Sequence, residues 1–118
     1  MALTVDIPKE AGWYVGTDLV IPFIVYTTDD KSAVQDLTGF ELRYQIRRNV
    51  YDEVLLTKTS ADGISVSNPT TGEGTITIGD EDWADWSAGD YVHGLLRSND
   101  PITVIWDGTV YLNKAAVP

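Results

Sequence analysis

His93 is the only histidine in the 118-residue chain, so a Ser–His–Asp catalytic arrangement would have to use it. The sequence contains no Gly-x-Ser-x-Gly nucleophile elbow, and His93 lies in the middle of a strand-like stretch. The chain also has no cysteine, which removes thiol catalysis and thiolate metal sites. We therefore expect His93 to be a core or surface histidine, and we expect no catalytic residue and no enzyme activity.

Carboxylates are the other side chains that offer chemistry, because paired carboxylates perform general acid–base catalysis. All the candidates fall in turn-like segments, where aspartate is common for conformational reasons, so the sequence predicts no catalytic pair among them. These residues are Asp29, Asp30, Asp80, Glu81, Asp82 and Asp85.

Three of these carboxylates follow the spacing Asp80-x-Asp82-x-x-Asp85, which is compact enough to bring several oxygens to a hard cation such as calcium. The run lacks the length and the closing glutamate of an EF-hand loop. Capping of a short helix explains the same residues, because negative charge stabilises a helix N-terminus. Calcium binding by Asp80, Asp82 and Asp85 is kept as a candidate beside the capping interpretation.

Aromatic side chains offer a binding function of another kind. Exposed aromatic rings beside polar side chains bind sugars by stacking and hydrogen bonding. Trp13 and Tyr14 lie in a loop-like connection where exposure is expected, whereas the other three tryptophans suit core packing equally well. A carbohydrate-binding module for host-surface glycans is therefore the alternative function.

The composition excludes several classes of partner. A formal net charge of −10 disfavours nucleic acid and anionic membrane surfaces, because their phosphate groups repel an acidic protein. The Gly72-x-Gly74 pair precedes a strand-like stretch rather than a helix, so no phosphate-binding loop is predicted. The apolar runs are too short for a membrane-spanning helix, and no secretory signal is evident. The sequence predicts one domain over residues 1–118 that folds in a reducing compartment without a cofactor.

Short alternating apolar and polar runs recur about every ten residues, which is typical of an antiparallel β-sandwich or barrel. Gly, Asp, Asn and Pro separate the runs. Asp107-Gly108 is a tight hairpin signal between the last two runs, because glycine adopts positive φ without steric cost. The predicted strands are 2–7, 19–26, 40–48, 54–59, 64–67, 74–78, 91–98, 102–106 and 109–113.

The stretch 19–26 is apolar on both faces, which indicates that both faces are covered. Pro22 cannot donate a backbone hydrogen bond, so we expect this strand to lie at a sheet edge or to be bulged there. An apolar edge strand is commonly covered by a neighbouring subunit. The expected interface combines this strand with an N-terminal arm over 1–15, and its residues are Trp13, Tyr14, Val20, Ile24 and Tyr26.

The stretch 71–91 has the composition of a connection between the two sheets of a sandwich. It contains a short helical piece over 80–86, in which Asp80 is the expected N-cap. Trp83 and Trp86 are three residues apart and share one helix face, so we expect both to plug the end of the sandwich. Truncation of a buried Trp86 to alanine then costs about 3–5 kcal/mol. The expected structural residues are Gly72, Gly74, Trp83, Trp86, Gly89 and Tyr91.

Six turn-plus-strand motifs follow one another along the chain: GTDL (16–19), DLTGFELRYQIR (36–47), DGI (62–64), TGEGTITI (71–78), GDY (89–91) and DGTV (107–110). In this order and spacing they resemble small immunoglobulin-like β-sandwich domains of tailed-phage virions. The most similar family is the N-terminal domain of phage baseplate upper proteins and related tail or neck accessory proteins. The resemblance covers about residues 16–112.

The resemblance implies an all-β, immunoglobulin-like sandwich that serves as a non-enzymatic structural subunit of a bacteriophage particle, in the tail, baseplate, neck or capsid. It implies other virion structural proteins as partners, a homo-oligomer in the particle, and synthesis in the host cytoplasm before incorporation in the virion. The family supplies no catalytic or ligand-binding residues, so none is carried over. Baseplate members continue in a longer chain, whereas this sequence ends at Pro118, so a neck, head-completion or capsid-decoration position stays open.

Overall fold

Nine strands and two short 3₁₀ turns make up the part of the chain that the computed structural model describes. That part comprises residues 4–6, 13–15, 17–28, 30–49, 52–83 and 86–114. The strands are β1 Thr4–Asp6, β2 Tyr14–Val15, β3 Leu19–Tyr26, β4 Leu42–Arg47, β5 Val54–Thr59, β6 Ile64–Asn68, β7 Glu73–Ile78, β8 Gly89–Arg97 and β9 Thr103–Lys114, and the turns are Pro69–Thr71 and Asp80–Trp83.

The strands form two sheets, a four-stranded one in the order β1-β3-β7-β6 and a five-stranded one in the order β2-β9-β8-β4-β5. Neighbouring strands are antiparallel except for β2 and β9, which run parallel. An immunoglobulin sandwich places its first, second, fifth and fourth strands in one sheet and its third, sixth and seventh in the other. With β2 and β5 counted as additions, this chain has that strand order, which confirms the predicted all-β, immunoglobulin-like sandwich.

The core lies between the two sheets because the strands β3, β4, β7 and β8 alternate buried and more exposed side chains. In β4 the inward residues are Leu42, Tyr44 and Ile46, which are fully buried. In β3 they are Ile21, Phe23 and Val25. Burial of these side chains provides the main stabilising free energy of the fold.

The connection 71–91 carries the chain from β7 in one sheet to β8 in the other, as predicted. Its helical piece is shorter than expected and is a 3₁₀ turn over Asp80–Trp83, with residues 84 and 85 outside the described part. The backbone N–H groups at its start are bound by two other carboxylates rather than by the side chain of Asp80. Asp82 Oδ2 accepts from the Gly79 N–H at 2.8 Å, and Asp18 Oδ1 accepts from the Asp80 N–H at 2.8 Å.

Gly72 ends the first 3₁₀ turn with a left-handed backbone, at φ 72°. A Cβ atom there would lie 2.6 Å from the Val25 carbonyl oxygen and 2.8 Å from that of Gln35, because β3 and the loop after it close over this position. Gly39 also has a positive φ, of 81°, but a Cβ atom there would meet nothing within 4 Å. Substitutions at these two glycines can therefore be compared to separate the cost of backbone strain from the cost of steric clash.

Substituting Gly72→Ala is expected to lower the free energy of unfolding by about 2–5 kcal/mol, since strain and clash add. The matched control Gly39→Ala carries the strain alone and is expected to lose about 1–2 kcal/mol. Urea unfolding followed by circular dichroism measures both losses. Equal losses at the two positions would contradict the close packing at Gly72.

The prediction that β3 is an edge strand is wrong, because β1 and β7 flank it on its two sides. Pro22 is tolerated for a local reason. The Val25 N–H donates to the Gly72 carbonyl, on the β7 side of the strand. Successive backbone N–H groups of a strand point to alternate sides, so the nitrogen three residues earlier points away from β7. The nitrogen of Pro22 therefore faces the β1 side, where the described part of β1 pairs only with residues 24–26.

The predicted hairpin at Asp107-Gly108 is also wrong, because both residues lie inside the long strand β9. They pair with Gly94 and His93 of β8. A Cβ atom on Gly108 would lie 3.3 Å from the ring of Trp106, so glycine provides room for that ring rather than a turn. Continuous pairing with the nine-residue β8 outweighs the local turn preference.

The described parts of the N-terminal segment 1–15 pair within this sandwich. β1 extends the four-stranded sheet, and β2 extends the five-stranded sheet. Residues 1–3 and 7–12 lie outside the described part, as does Gly16 of the first resemblance motif. The described residues contain no helix of the length and hydrophobicity needed to cross a bilayer.

Candidate functional site

The five-stranded sheet carries most of the large apolar side chains that are exposed in the described part of the chain. Those on or beside its outward surface are Tyr14 on β2, Leu55 on β5, Val104 and Tyr111 on β9, and Ile102 directly before β9. Val20 and Val34 are exposed elsewhere. Scattered apolar residues are ordinary on a protein surface, but their concentration on one sheet indicates a contact surface.

Strand alternation builds this surface. In β8 the side chains of Tyr91, His93 and Leu95 enter the core, so the intervening residues project outward. A register shift between β8 and β9 adds Ile105 to the core side and leaves Val104 outward, opposite Leu96. We call this surface the outer face, and its residues are Arg43, Gln45, Arg47, Asp90, Val92, Gly94, Leu96, Val104, Asp107, Thr109 and Tyr111.

A groove of about 390 Å³ crosses the middle of the outer face. It lies at Gly94, which has no side chain and is paired with Gln45 on one side and Asp107 on the other. Val92 and Leu96 form its walls along β8. Glycine within a strand commonly marks a place where a ligand or another backbone approaches closely.

The outer face is balanced in charge although the whole chain has a net charge of −10. Its cations, Arg43 and Arg47, lie on β4. Its anions, Asp90 and Asp107, lie on β8 and β9. The acidic excess of the protein therefore lies outside this face.

His93 lies in the core, where only 3% of it is exposed. Its Nδ1 shares a hydrogen bond with the Tyr44 hydroxyl at 2.7 Å, and the rings of Trp13 and Trp106 stand edge-on to it at centroid distances of 5.7 and 4.5 Å. Burial lowers the pKa of His93 to about 4, so the imidazole is neutral at pH 7. His93 is among the residues that line the groove of the outer face, but its side chain is enclosed by these rings, so we interpret it as a structural element.

The expected exposure of Trp13 is wrong, since only 6% of it is exposed. Its backbone carbonyl accepts hydrogen bonds from the Asn113 N–H at 2.9 Å and from Asn113 Nδ2 at 3.1 Å. This anchoring fixes Trp13 at the edge of the five-stranded sheet, and alternation then turns it and Val15 inward. Tyr14, between them, is exposed as predicted.

The five residues of the predicted interface are not brought together. Val20, Ile24 and Tyr26 project from β3 on the outward side of the four-stranded sheet, whereas Tyr14 belongs to the opposite sheet and Trp13 to the core. Val20 is exposed, and Ile24 and Tyr26 are half-buried. The sequence therefore identified two separate surfaces as one.

The candidate calcium ligands are likewise separated in role. Asp82 forms an ion pair with Lys58 of β5, with Nζ and Oδ2 2.9 Å apart, and this joins the two sheets at one end. The hydrogen bond from Lys58, with that from the Gly79 N–H, holds the pKa of the Asp82 carboxyl below its usual range. Asp80 is exposed, and Asp85 lies outside the described residues.

Asp80 instead lies near Asp18 and Glu81, and one carboxylate oxygen from each falls within 4.8 Å of the others. All three side chains are exposed, and Asp18 already binds the Asp80 N–H. Calcium takes six to eight oxygen ligands, whereas this group brings three carboxylates together. Within the group, Asp18 stabilises the start of the 3₁₀ turn by accepting the hydrogen bond from the Asp80 N–H.

Millimolar calcium is expected to leave the thermal unfolding midpoint unchanged. Lys58 already forms an ion pair with Asp82, and its positive charge repels a second cation nearby. Differential scanning calorimetry with calcium and with a chelator measures this. Magnesium at the same concentration controls for ionic strength. A rise in the midpoint specific to calcium would restore the calcium interpretation of Asp80 and its neighbours.

Two tryptophans were expected to plug the end of the sandwich, and Trp83 does so as predicted, whereas Trp86 does so only in part. Trp83 is fully buried, and its indole Nε1 donates to the Thr17 carbonyl at 2.6 Å. Trp86 is half-buried, edge-on to Trp83 at 5.1 Å and stacked on Tyr91 at 5.2 Å. Trp86 is therefore packed against the core but less buried than expected.

Tyr91 fixes the entry to β8. Its hydroxyl donates to the Ser87 carbonyl at 2.7 Å, four residues upstream, which is the tyrosine-corner arrangement of immunoglobulin-like sandwiches. The Arg48 guanidinium lies 4.7 Å from the centroid of the Tyr91 ring. At Gly89, with φ 149°, a Cβ atom would lie 2.8 Å from that guanidinium, so glycine leaves room for it.

Comparison with protein-family models gives no match for this chain. Comparison with curated proteins gives no match either.

The sequence did contain a signal for the outer face that the predicted interface did not use. Val92-x-Gly94-x-Leu96 alternates with the inward residues of β8, which marks an apolar outward face. Val104 and Tyr111 were not recognisable as members of it, because the predicted turn at 107–108 placed them on separate strands.

Proposed function

We propose that this chain is a non-enzymatic structural subunit that acts through protein–protein contacts. The observation that carries the proposal is that five of the seven exposed large apolar side chains in the described part lie on or beside the five-stranded sheet, with Val104 and Tyr111 on the outer face itself. Interfaces combine apolar contact area with a few charged and polar groups, and the outer face has this composition. Its groove is lined by aliphatic, polar and charged residues together with His93 and Trp106.

The assembly that we propose is a tailed-phage particle, with the subunit in the tail, baseplate, neck or capsid. Support comes from the resemblance of the motifs over residues 16–112 and from the immunoglobulin-like strand order. Under this proposal the partners are other virion structural proteins, and the chain is made in the host cytoplasm before it enters the virion. Because a fold does not determine a function, the proposal depends on these motifs and on the surface rather than on the sandwich alone.

Quantitative mass spectrometry of gradient-purified particles tests this function. The chain is expected to sediment with the particles in a constant ratio to the major structural proteins and to withstand a high-salt wash. The particle-free supernatant of the same lysate is the control. Recovery of the chain only in that supernatant would contradict a structural role in the particle.

Sugar binding is a second candidate, favoured by the exposure of Tyr14 and Tyr111 on the same sheet. Tyrosine rings stack on sugars, and Asp107, Gln45 and Thr109 offer hydrogen-bonding groups in the adjacent groove. The burial of Trp13 removes one of the two rings that the sequence had offered. Glycan-array binding that is lost in Tyr111→Ala would favour this candidate over the structural role.

A further inference from the structure

Three of the four charges of the outer face lie on the strands that flank β8, and Asp90 lies near the start of β8 itself. Arg43 and Arg47 lie on β4, on one side of β8, and Asp107 lies on β9, on the other side. We propose that two copies of this chain bind each other through their outer faces, with β8 of one copy packed over β8 of the other. The inference rests on the proposed function, since it names the surface and one partner of a subunit that acts through protein contacts.

Electrostatics favours this face over the rest of the surface for self-association. Two chains that each have a net charge of −10 repel each other, and acidic surfaces would bring like charges together. The outer face has two arginines and two aspartates among its defining residues, so these residues carry no net charge. The acidic remainder then faces solvent, where water and counter-ions screen it.

A two-fold axis along β8 makes the charges complementary. Such an axis places β4 of one copy over β9 of the other, and the same contact repeats on the other side of the axis. Gln45 and Asp107 both pair with Gly94, so Asp107 of the partner lies over Gln45, between the levels of Arg43 and Arg47. Each β8 residue faces its own counterpart, so Val92 and Leu96 meet in the centre, where contact excludes water, and Asp90 meets Asp90 at the start of the strand.

The size and the shape of the face suit this contact. The five strands contain 35 residues, which at about 3.4 Å along a strand and about 4.8 Å between strands gives roughly 570 Å². A specific interface buries at least about 1,000 Å² in total, and two such faces together supply roughly 1,100 Å². Gly94 lies at its centre, where the missing side chain lets the two β8 strands approach closely.

Two valines of nearly equal exposure allow a matched test. Val104 on the outer face is 63% exposed, and Val20 on the opposite sheet is 59% exposed. Val104→Asp places a charge in the proposed interface, and Val20→Asp places the same charge outside it. Because both side chains point into solvent, both variants are expected to fold, and circular dichroism with thermal unfolding checks this.

Sedimentation velocity of the purified full chain over a concentration series is the measurement. We expect the wild type and Val20→Asp to approach twice the monomer mass with increasing concentration. Val104→Asp is expected to weaken dimerisation by roughly 30-fold or more, as for a central interface residue. A wild type that stays monomeric at millimolar concentration overturns the proposal, as does a Val104→Asp variant that dimerises normally or a Val20→Asp variant that loses the dimer.

A charge exchange provides an independent test of the relative orientation. Arg47→Asp alone places a carboxylate beside Asp107 of the partner and is expected to weaken the dimer. Adding Asp107→Arg to the same chain restores opposite charges across the axis and is expected to recover most of the affinity. A double variant that is no tighter than Arg47→Asp overturns the proposed orientation.

These results are separable from those for the proposed function. A chain that is monomeric in sedimentation but present in purified particles contradicts this inference alone. A chain that dimerises through the outer face but is absent from particles contradicts the virion role alone.

Discussion

Replacing Trp83 by alanine is expected to lower the free energy of unfolding by about 3–5 kcal/mol, the usual cost of truncating a buried tryptophan. Trp83 is fully buried at the end of the sandwich, where the chain passes from one sheet to the other. The truncation removes its contact with Trp86 and its hydrogen bond to the Thr17 carbonyl, and it leaves a cavity. Because small domains are stable by only about 5–15 kcal/mol, this variant is expected to be close to unfolding at 37 °C.

Two control variants separate the contributions at this site. Trp83→Phe retains an aromatic ring but loses the indole N–H, so a loss of about 1–2 kcal/mol is expected. Trp86→Ala is expected to cost about 2 kcal/mol, because Trp86 is only half-buried. Urea unfolding is followed by far-ultraviolet circular dichroism, because intrinsic fluorescence depends on tryptophans that these variants remove. A loss below about 1 kcal/mol for Trp83→Ala would contradict the plug.

Acidification from pH 6.5 to pH 4 is expected to remove about 3 kcal/mol of stability through His93 alone. Burial lowers the pKa of His93 from 6.5 to about 4, and each pKa unit corresponds to about 1.4 kcal/mol. Below pH 6.5 the unfolded chain binds a proton at this histidine that the folded chain does not bind, so the free energy of unfolding falls as the pH falls. Above pH 6.5 the histidine is neutral in both states and has no effect, and below about pH 4 the loss is complete.

The control is a chain that carries both His93→Leu and Tyr44→Phe. Removing both partners of the 2.7 Å hydrogen bond avoids leaving one of them in the core without the other. Carboxylates titrate over part of the same range in both proteins, so the difference in unfolding free energy between them isolates the histidine. That difference is expected to shrink as pH falls from 6.5 to 4. A difference that is constant over this range would contradict a neutral, buried His93.

The sequence was sufficient for the architecture where local pattern and tertiary structure agree. Residues 54–59 were predicted as a strand with the bounds that are observed, and 40–48 was predicted within two residues. The crossing at 71–91 was recognisable from its glycines and its short acidic turn. In these segments alternation, turn residues and burial all favour the same structure.

Predictions failed where a distant strand decides the local conformation. Asp107-Gly108 has the strongest hairpin signal in the chain, yet pairing with β8 keeps it extended. Pro22 indicates an edge strand, yet the strand is internal. Pro22 is tolerated there because its nitrogen faces away from the hydrogen bonds to β7. Trp13 has a loop-like context, yet hydrogen bonds from Asn113, one hundred residues away in sequence, bring it into the core. None of these long-range pairings is visible in a local pattern.

The outer face was missed for the same reason, because its residues come from strands that are distant in sequence. Thiol labelling of single-cysteine variants tests its role most directly, since the chain has no cysteine of its own. Val104→Cys and Val20→Cys are each treated with a maleimide, both in the purified chain at low concentration and in assembled particles. The outer-face account predicts that Val104→Cys is labelled far more slowly in the particle than in the free chain, whereas Val20→Cys is labelled at similar rates. Equal rates for Val104→Cys in the two states would contradict it.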